Sequence, residues 1–331
     1  MVSLDFAFDI AGKQIVAPSR IAEALGSGEL AQAFAGATRA VVVVGAIAES
    51  GVHASAIRKA AAAFASANNA ALCRIPQGAN ALGLARHGVL PASRDASAML
   101  AQPRGAYMIY GIEPGLDFAD QAAALKALAG AQVVAFSQFA CESTRKVADV
   151  ILPIGALPEI DATLTNLDGR DQAAVAAGKL PGEARAGWRV LRAIGGELGL
   201  AGFDFTDFDG LRASIAPREV SVAASAAPAA AGEGLELAVS EAIYRVDAVT
   251  RRAAALQAHP LTVGPRVTLH PQDAAAANIT DGAMAKLSNA AGTATLQVVL
   301  DDRVAPGSAW VERGYGATAA LAAGNAKVVA A

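Results

Sequence analysis

Residues 39–46 (RAVVVVGA) form a continuous apolar run rich in β-branched side chains, which is typical of a strand covered on both faces of a parallel sheet. Similar short runs recur further along the chain, at 71–75, 105–110, 131–136 and 147–153. Helical patterns separate several of them, at 52–69, 93–102 and 118–129. Strands and helices that alternate at this spacing predict an α/β fold with a doubly wound parallel sheet and right-handed crossovers.

The pattern changes after Pro153. A helix is predicted over 183–199, and residues 217–234 (PREVSVAASAAPAAAGEG) have the composition of a flexible linker. Apolar residues at helical spacing then predict a long amphipathic helix over 236–257.

The last part of the chain has the pattern of a small β-barrel. Strands are predicted at 266–270, 283–288 and 293–300, with turns between them and a short helix that opens at Pro271. We therefore expect three regions: an α/β domain over 1–216, a linker with an amphipathic helix over 217–264, and a barrel module over 265–331.

Charge and cysteine content exclude several classes of protein. The chain of 331 residues carries 27 basic and 30 acidic residues, so it has no basic excess with which to bind nucleic acid. Its longest uncharged run, 127–141, is shorter than the roughly 20 residues of a membrane-spanning helix, so no direct membrane insertion is expected. The N-terminus resembles no export signal, which favours a cytoplasmic location. Two cysteines are too few for a four-cysteine cluster or a disulfide framework.

Two loops follow predicted strands, where open α/β sheets bind ligands. Residues 44–51 (VGAIAESG) could take a phosphate, although they lack a G-x-G-x-x-G or Walker pattern. In residues 77–83 (QGANALG), the side chains and backbone of Gln77, Gly78, Asn80 and Gly83 are candidates for a ligand crevice. Either loop could equally be a plain strand-to-helix turn.

Residues 159–172 (EIDATLTNLDGRDQ) form the densest polar cluster. We expect a turn at Asp168-Gly169 with Arg170 in an ion pair nearby, and this polar turn would join the sheet to the barrel. Two carboxylates acting as an acid/base pair are the less favoured alternative. The four histidines are far apart in sequence, so no metal site is predicted, and no catalytic constellation stands out. A reactive thiol at Cys141 remains an option.

Several of these segments resemble the molybdopterin oxidoreductases. Residues 148–153 (ADVILP) are similar to the A-D-V-V-L-P part of a family signature. Residues 267–304 are similar to the family's dinucleotide-binding module, which implies a small double-psi-like β-barrel. Residues 159–172 resemble E-x-x-G-T-x-x-N-x-E-G-R-x-Q, in which the matching positions are Glu159, Thr163, Asn166, Gly169, Arg170 and Gln172. Ala162 and Asp168 depart from this pattern.

Three segments resemble one branch more closely, the large iron–sulfur subunit of bacterial NADH:quinone oxidoreductase (respiratory complex I). They are residues 244–257 (YRVDAVTRRAAALQ), 111–114 (GIEP) and 78–91 (GANALGLARHGVLP). The cysteine motifs that carry that subunit's iron–sulfur clusters are not in this sequence, so it looks like the C-terminal, molybdopterin-oxidoreductase-like portion alone.

This resemblance implies a structural role in the peripheral arm, with no catalytic residues, metal or cofactor in the chain itself. The implied partners are other peripheral-arm subunits, on the cytoplasmic side of the inner membrane. Two alternatives stay open. One is a molybdopterin enzyme that holds a pterin dinucleotide between the crevice at 77–83 and the barrel loop at 278–282. The other is a nucleotide-binding module that uses residues 45–51.

Overall fold

The computed structural model describes residues 13–89, 94–218 and 232–331. Its α-helices are α1 Ile21–Leu25, α2 Gly28–Phe34, α3 Ala46–Ser50, α4 Ala54–Ala67, α5 Ala81–Arg86, α6 Ala96–Ala101, α7 Gln121–Ala129, α8 Glu142–Val147, α9 Gly187–Glu197, α10 Phe208–Ser214, α11 Ala254–Gln257 and α12 Pro271–Ala276. Within these ranges, every helix is too short or too polar to cross a bilayer.

The strands are β1 Val41–Val44, β2 Ala71–Arg74, β3 Ala106–Tyr110, β4 Gln132–Ser137, β5 Val150–Pro153, β6 Ala162–Thr165, β7 Asp171–Ala174, β8 Leu235–Glu241, β9 Arg266–Leu269, β10 Met284–Ser288, β11 Thr293–Leu300, β12 Ser308–Arg313 and β13 Gly324–Ala330. The α/β class is confirmed: strands β1 to β5 pair in parallel and helices connect them.

The parallel strands form two sheets rather than one, β1-β2 and β3-β4-β5. In β1, Val42 and Val44 face α1 and α4 and are buried, whereas Val41 and Val43 are 53% and 58% exposed. The expectation that this strand is covered on both faces is therefore wrong. An uninterrupted valine run suits either environment, because period-2 alternation becomes visible only when the exposed face is polar.

The C-terminal barrel is confirmed. Six strands close in the order β10-β11-β9-β12-β8-β13, and their inward side chains form the largest core of the molecule. Fully buried members of this core are Val267, Ala285, Leu287, Val298 and Ala309. Since closure pairs every strand on both sides, this small unit has no free sheet edge.

The amphipathic helix predicted over 236–257 is wrong. Residues Leu235–Glu241 are β8, a barrel strand that pairs in parallel with β12 and antiparallel with β13. Leu237 and Val239 enter the barrel core, and Ala238 between them packs on the outer side. Only a 3₁₀ turn at Thr250–Arg252 and the single turn of α11 follow. The barrel thus begins at 235 instead of 265, because two distant strands override the local helical spacing.

The remaining boundaries differ less. The helix predicted over 183–199 is α9, Gly187–Glu197, and the short helix that opens at Pro271 ends at Ala276. Residues 219–231, most of the predicted linker, lie outside the described part of the chain.

Candidate functional site

Strand β3 ends in a tight turn that buries a carboxylate. Gly111 follows the strand with φ +66°, a left-handed conformation that glycine adopts without steric cost. This turn places Glu113 at 4% exposure beneath the barrel. Arg251, which is 8% exposed, reaches it from the 3₁₀ turn after β8. The segments 111–114 and 244–257, which are far apart in sequence, therefore meet between the sheet and the barrel.

Four side chains form an ion cluster here: Glu113, Asp117, Arg251 and Arg252. Arg251 donates from Nε to Glu113 Oε2 at 2.9 Å and from Nη2 to Asp117 Oδ1 at 2.8 Å. Its Nη1 donates to the Arg245 carbonyl oxygen at 3.0 Å. Arg252 donates to the other oxygen of Glu113. Each nitrogen of the Arg251 guanidinium thus has an acceptor.

The cluster is held in its charged form. Burial alone would raise the pKa of the Glu113 carboxyl, but hydrogen bonds from Arg252 and Arg251 hold that pKa below its ordinary value. The bond to Glu113 likewise raises the pKa of Arg252. The Arg252 guanidinium also lies 4.2 Å from the centroid of the Phe139 ring, just past the end of β4.

Further bonds fix the same segment to the barrel. Arg245 donates from Nε to the Gly314 carbonyl oxygen at 2.7 Å and lies over the Tyr315 ring. Gln257 accepts from Arg245 and donates to the carbonyl oxygens of Tyr244 and Thr250. These contacts give residues 244–257 a packing role that does not require a long helix.

Of the residues predicted to form a crevice at 77–83, some are exposed to solvent and others are packed against β6. Gln77 and Gly78 are exposed. Asn80 has φ +64°, and its Oδ1 accepts from the Thr165 amide at 2.8 Å. Gly83 is buried, and a Cβ there would lie 2.0 Å from Asn80 Oδ1 and 2.7 Å from Thr165 Oγ1. Asn80 and Gly83 therefore hold α5 against β6.

The polar cluster at 159–172 is the β6–β7 hairpin. Asn166 Oδ1 accepts from the amides of Asp168 and Arg170 and so shapes the turn, in which Gly169 has φ +78°. Arg86 on α5 donates to the Gly169 carbonyl oxygen at 3.0 Å. The turn thus contacts α5 and does not join the barrel. In the described residues Arg170 makes no ion pair within 4.0 Å, so that expectation is wrong.

A cleft of about 610 Å³ opens beside this hairpin. Its polar lining includes Asp161, Asp171 and Asp209, and the guanidinium of Arg212 lies 3.6 Å from Asp209. Asp171 accepts from the Thr165 hydroxyl at 2.7 Å. Carboxylates outnumber the cation, so this cleft repels anions.

The loop at 45–51 contains α3, a helix of five residues that lies against β8. Its Glu49 accepts from Arg74 at 2.7 Å and from Arg58 at 3.1 Å. The nearby Glu236 on β8 accepts from the Ser19 amide at 2.8 Å. Both arginines here are already bonded to Glu49, and two carboxylates lie close by. This end of the sheet is therefore unsuited to binding a phosphate.

Among the described residues, the other candidate positions do not come together into a catalytic or binding group. Asn278 and Gly282 in the barrel loop take left-handed conformations, and Asp281 between them accepts from the Leu300 amide. Cys141 Sγ lies 3.1 Å from Thr144 Oγ1. Across 13–89, 94–218 and 232–331, no three His, Cys, Asp or Glu side chains converge on a metal position.

Comparison with known proteins gives two family matches. The profile of the molybdopterin oxidoreductases matches residues 5–197, and that of the molydopterin dinucleotide binding domain matches residues 241–330. The mitochondrial 78 kDa subunit of NADH-ubiquinone oxidoreductase from Neurospora crassa is 44% identical over 55 residues, which are 17% of this chain and 7% of that protein.

Among solved structures, acetylene hydratase from Pelobacter acetylenicus is similar with a TM-score of 0.49 at 15% identity. The match covers 66% of this chain and 39% of that one. The chain therefore spans well under half the length of both relatives.

The dinucleotide-binding match points to a molybdopterin dinucleotide site in this family, and the described residues do not fit such a group. A dinucleotide carries a pyrophosphate, which proteins bind with free cations or exposed amides. In the predicted crevice at 77–83, Asn80 and Gly83 pack against Thr165 and present no cation. The buried arginines at the end of β3, Arg251 and Arg252, are both bonded to Glu113. The open cleft beside the hairpin is lined with carboxylates.

Proposed function

The chain belongs to the molybdopterin oxidoreductase family, and from this premise we propose that it is a structural portion of the peripheral arm of an NADH:quinone oxidoreductase. In this proposal it carries no redox centre and binds no molybdopterin. Electrons would pass through iron–sulfur clusters held outside this sequence.

The observation that carries the proposal is the ion cluster. Its acidic members lie in and just after residues 111–114, and its arginines lie in residues 244–257. These are the segments that resemble the large iron–sulfur subunit of complex I. A buried arginine with an acceptor at each nitrogen, between two carboxylates, has the geometry of a fixed structural contact. Neither Arg251 nor Arg252 is then available to hold a phosphate at the end of β3.

The similarity to the 78 kDa subunit supports the same branch of the family. We further propose that the chain divides into an α/β domain up to residue 216 and a barrel unit from residue 235. The partners would be other peripheral-arm subunits, and the location would be the cytoplasmic side of the inner membrane.

The test is assembly with those subunits. The chain would be expressed together with an affinity-tagged NADH-oxidising subunit of a bacterial complex I, and the tagged arm would be purified in mild detergent. We expect the chain in constant ratio to the tagged subunit and to the iron–sulfur subunits, in fractions that reduce quinone with NADH. A complete, active arm that lacks the chain would contradict the proposal.

The dinucleotide-binding match favours a second candidate, the body of a molybdopterin-dependent oxidoreductase. In this candidate a pterin dinucleotide would lie between residues 77–83 and the barrel loop at 278–282. Arg251 or Arg252 could help to hold its pyrophosphate only by leaving Glu113. Pterin and molybdenum in the purified chain would support it.

A further inference from the structure

The outer surface of the barrel carries a second cleft, of about 350 Å³, across strands β8, β12, β9 and β11. Along these strands the side chains alternate between the two faces. Val239, Val311, Val267 and Val298 point into the barrel core, while their neighbours line the cleft. The volume falls within the roughly 300–1,000 Å³ typical of small-molecule sites.

An arginine and a glutamate lie side by side in this cleft without pairing. Val311 on β12 is opposite Val267 on β9, so the next position places Glu312 beside Arg266. Opposite charges at such positions usually attract across the strands. Within the described part of the chain, however, the two side chains form no ion pair within 4.0 Å.

Three polar atoms around this gap have no hydrogen-bond partner although they are buried: Arg266 Nε, Thr268 Oγ1 and Glu312 Oε2. Thr268 is 2% exposed and lies on the same strand and face as Arg266, two residues along. Buried donors and acceptors in folded proteins are nearly always bonded, so three together on one cleft call for a partner.

The rest of the lining is apolar or already paired. Ile47, Leu261, Val263 and Val304 form the walls. Trp310 donates from Nε1 to Ser240 Oγ at 2.9 Å. At the rim, Arg303 and Asp301 form an ion pair at 2.6 Å, so their charges offset each other. The cleft therefore offers one donor side and one acceptor side within apolar walls.

We propose that this cleft binds a small uncharged ligand in which a carboxamide is attached to a flat apolar group. The amide oxygen would accept from Arg266 and Thr268, and the amide N–H would donate to Glu312. The flat group would lie among Trp310 and the aliphatic walls. A carboxylate would satisfy only Arg266 and Thr268, and an amidinium would satisfy only Glu312.

Benzamide, benzoate and benzamidine test the proposal, because they share one shape and differ in donors and acceptors. The chain has two tryptophans, so the Trp188→Phe variant leaves Trp310 as the only indole reporter of the cleft. We expect benzamide to change the Trp310 fluorescence with a dissociation constant at least tenfold lower than that of either charged analogue. Tighter binding of benzoate or benzamidine, or no saturable binding of any of the three, would overturn it.

Two substitutions locate the binding. Arg266→Met and Glu312→Ala should each weaken benzamide binding at least tenfold in chains that still unfold cooperatively. Arg212→Met makes the same chemical change as the first variant in the other cleft and should leave benzamide affinity unchanged. Equal weakening in all three variants would contradict the site. If a variant fails to fold, the order of the three dissociation constants measured on the Trp188→Phe chain still tests the proposed site.

Discussion

Two arginine–glutamate sets, one buried next to the barrel and one half-buried on its outer face, differ in how completely their atoms are bonded. Between the sheet and the barrel, each Arg251 nitrogen has an acceptor and both oxygens of Glu113 accept from arginines. On the outer face, Arg266 and Glu312 occupy adjacent strand positions and keep buried atoms without partners.

The contrast separates structure from binding. Where the charged atoms already have partners within the chain, they are not free to bind a ligand. Removing one partner then leaves the opposite charge buried without compensation. A set with unpaired buried donors and acceptors destabilises the fold slightly when no ligand is bound, and a ligand that pairs with those atoms gains binding free energy. The following predictions test this contrast, from the largest expected effect to the smallest.

Glu113→Ala should have the largest effect. It leaves Arg251 buried opposite Asp117 alone, and breaking a buried pair in this way costs about 3–5 kcal/mol. Urea unfolding measures the loss. Glu142→Ala makes the same substitution at an exposed glutamate paired with Lys146, where solvent screens the pair, and we expect no measurable change. Similar losses in the two variants would show that the ion cluster adds no stability.

The two arginines of the cluster should differ. Arg251→Met removes the cationic partner of Asp117 and one of the two arginines bonded to Glu113, and it should lower the free energy of unfolding by about 3 kcal/mol or more. The Arg252 side chain is 36% exposed, so water can take its place, and Arg252→Met should cost about 1 kcal/mol. Urea unfolding of the two variants, side by side, checks the order. The reverse order would place the structural contact at Arg252.

The two glutamates should respond to pH in opposite directions. The pKa of Glu113 is held below 4.5, so its contribution to stability is present above that pH and is lost as pH falls through the folded pKa. Burial raises the pKa of Glu312 above 4.5, so its contribution is present below that pH and is lost as pH rises through the folded pKa.

Unfolding free energies between pH 3 and pH 8 check these signs. Glu113→Gln should remove part of the loss of stability at acid pH, and Glu312→Gln should remove part of a loss toward neutral pH. Parallel curves for the two variants and the parent chain would contradict the assignment of either pKa direction.

Glu312→Gln should have the smallest effect on stability at pH 7. It removes a half-buried carboxylate whose buried Oε2 has no partner, and it keeps the shape of the side chain, so the free energy of unfolding should stay the same or rise by about 1 kcal/mol. The same substitution at Glu113 should lower it, since hydrogen bonds from two arginines weaken. Equal losses at the two positions, measured by urea unfolding, would remove the distinction between the sets.

Local patterns predicted much of the fold. The strands at 266–269, 284–288 and 293–300 carry their own turns and apolar alternation, so sequence alone located them. A helix is predicted from residue 236 because Val239, Ala242 and Val246 follow helical spacing. Leu237 and Val239 also alternate as in a strand, and only pairing with β12 and β13 decides between the two.

The candidate site was less predictable. Glu113 and Arg251 lie 138 residues apart, and no spacing rule connects them. The only signal was that the segments around both had already been singled out by resemblance. Residues 77–83 are expected to allow a left-handed backbone, which Gly78 and Asn80 adopt. Gly83 is instead helical, and both Asn80 and Gly83 serve the packing of α5 on β6.

The most direct test of the structural role is the metal and pterin content of the purified chain. The chain would be expressed in a host that makes the molybdenum cofactor, then analysed for molybdenum and tungsten and for the fluorescence of the oxidised pterin. We predict neither metal nor pterin above background, because Arg251 and Arg252 are bonded to the chain's own carboxylates. One pterin per chain would contradict this account and would favour a cofactor site between residues 77–83 and the barrel.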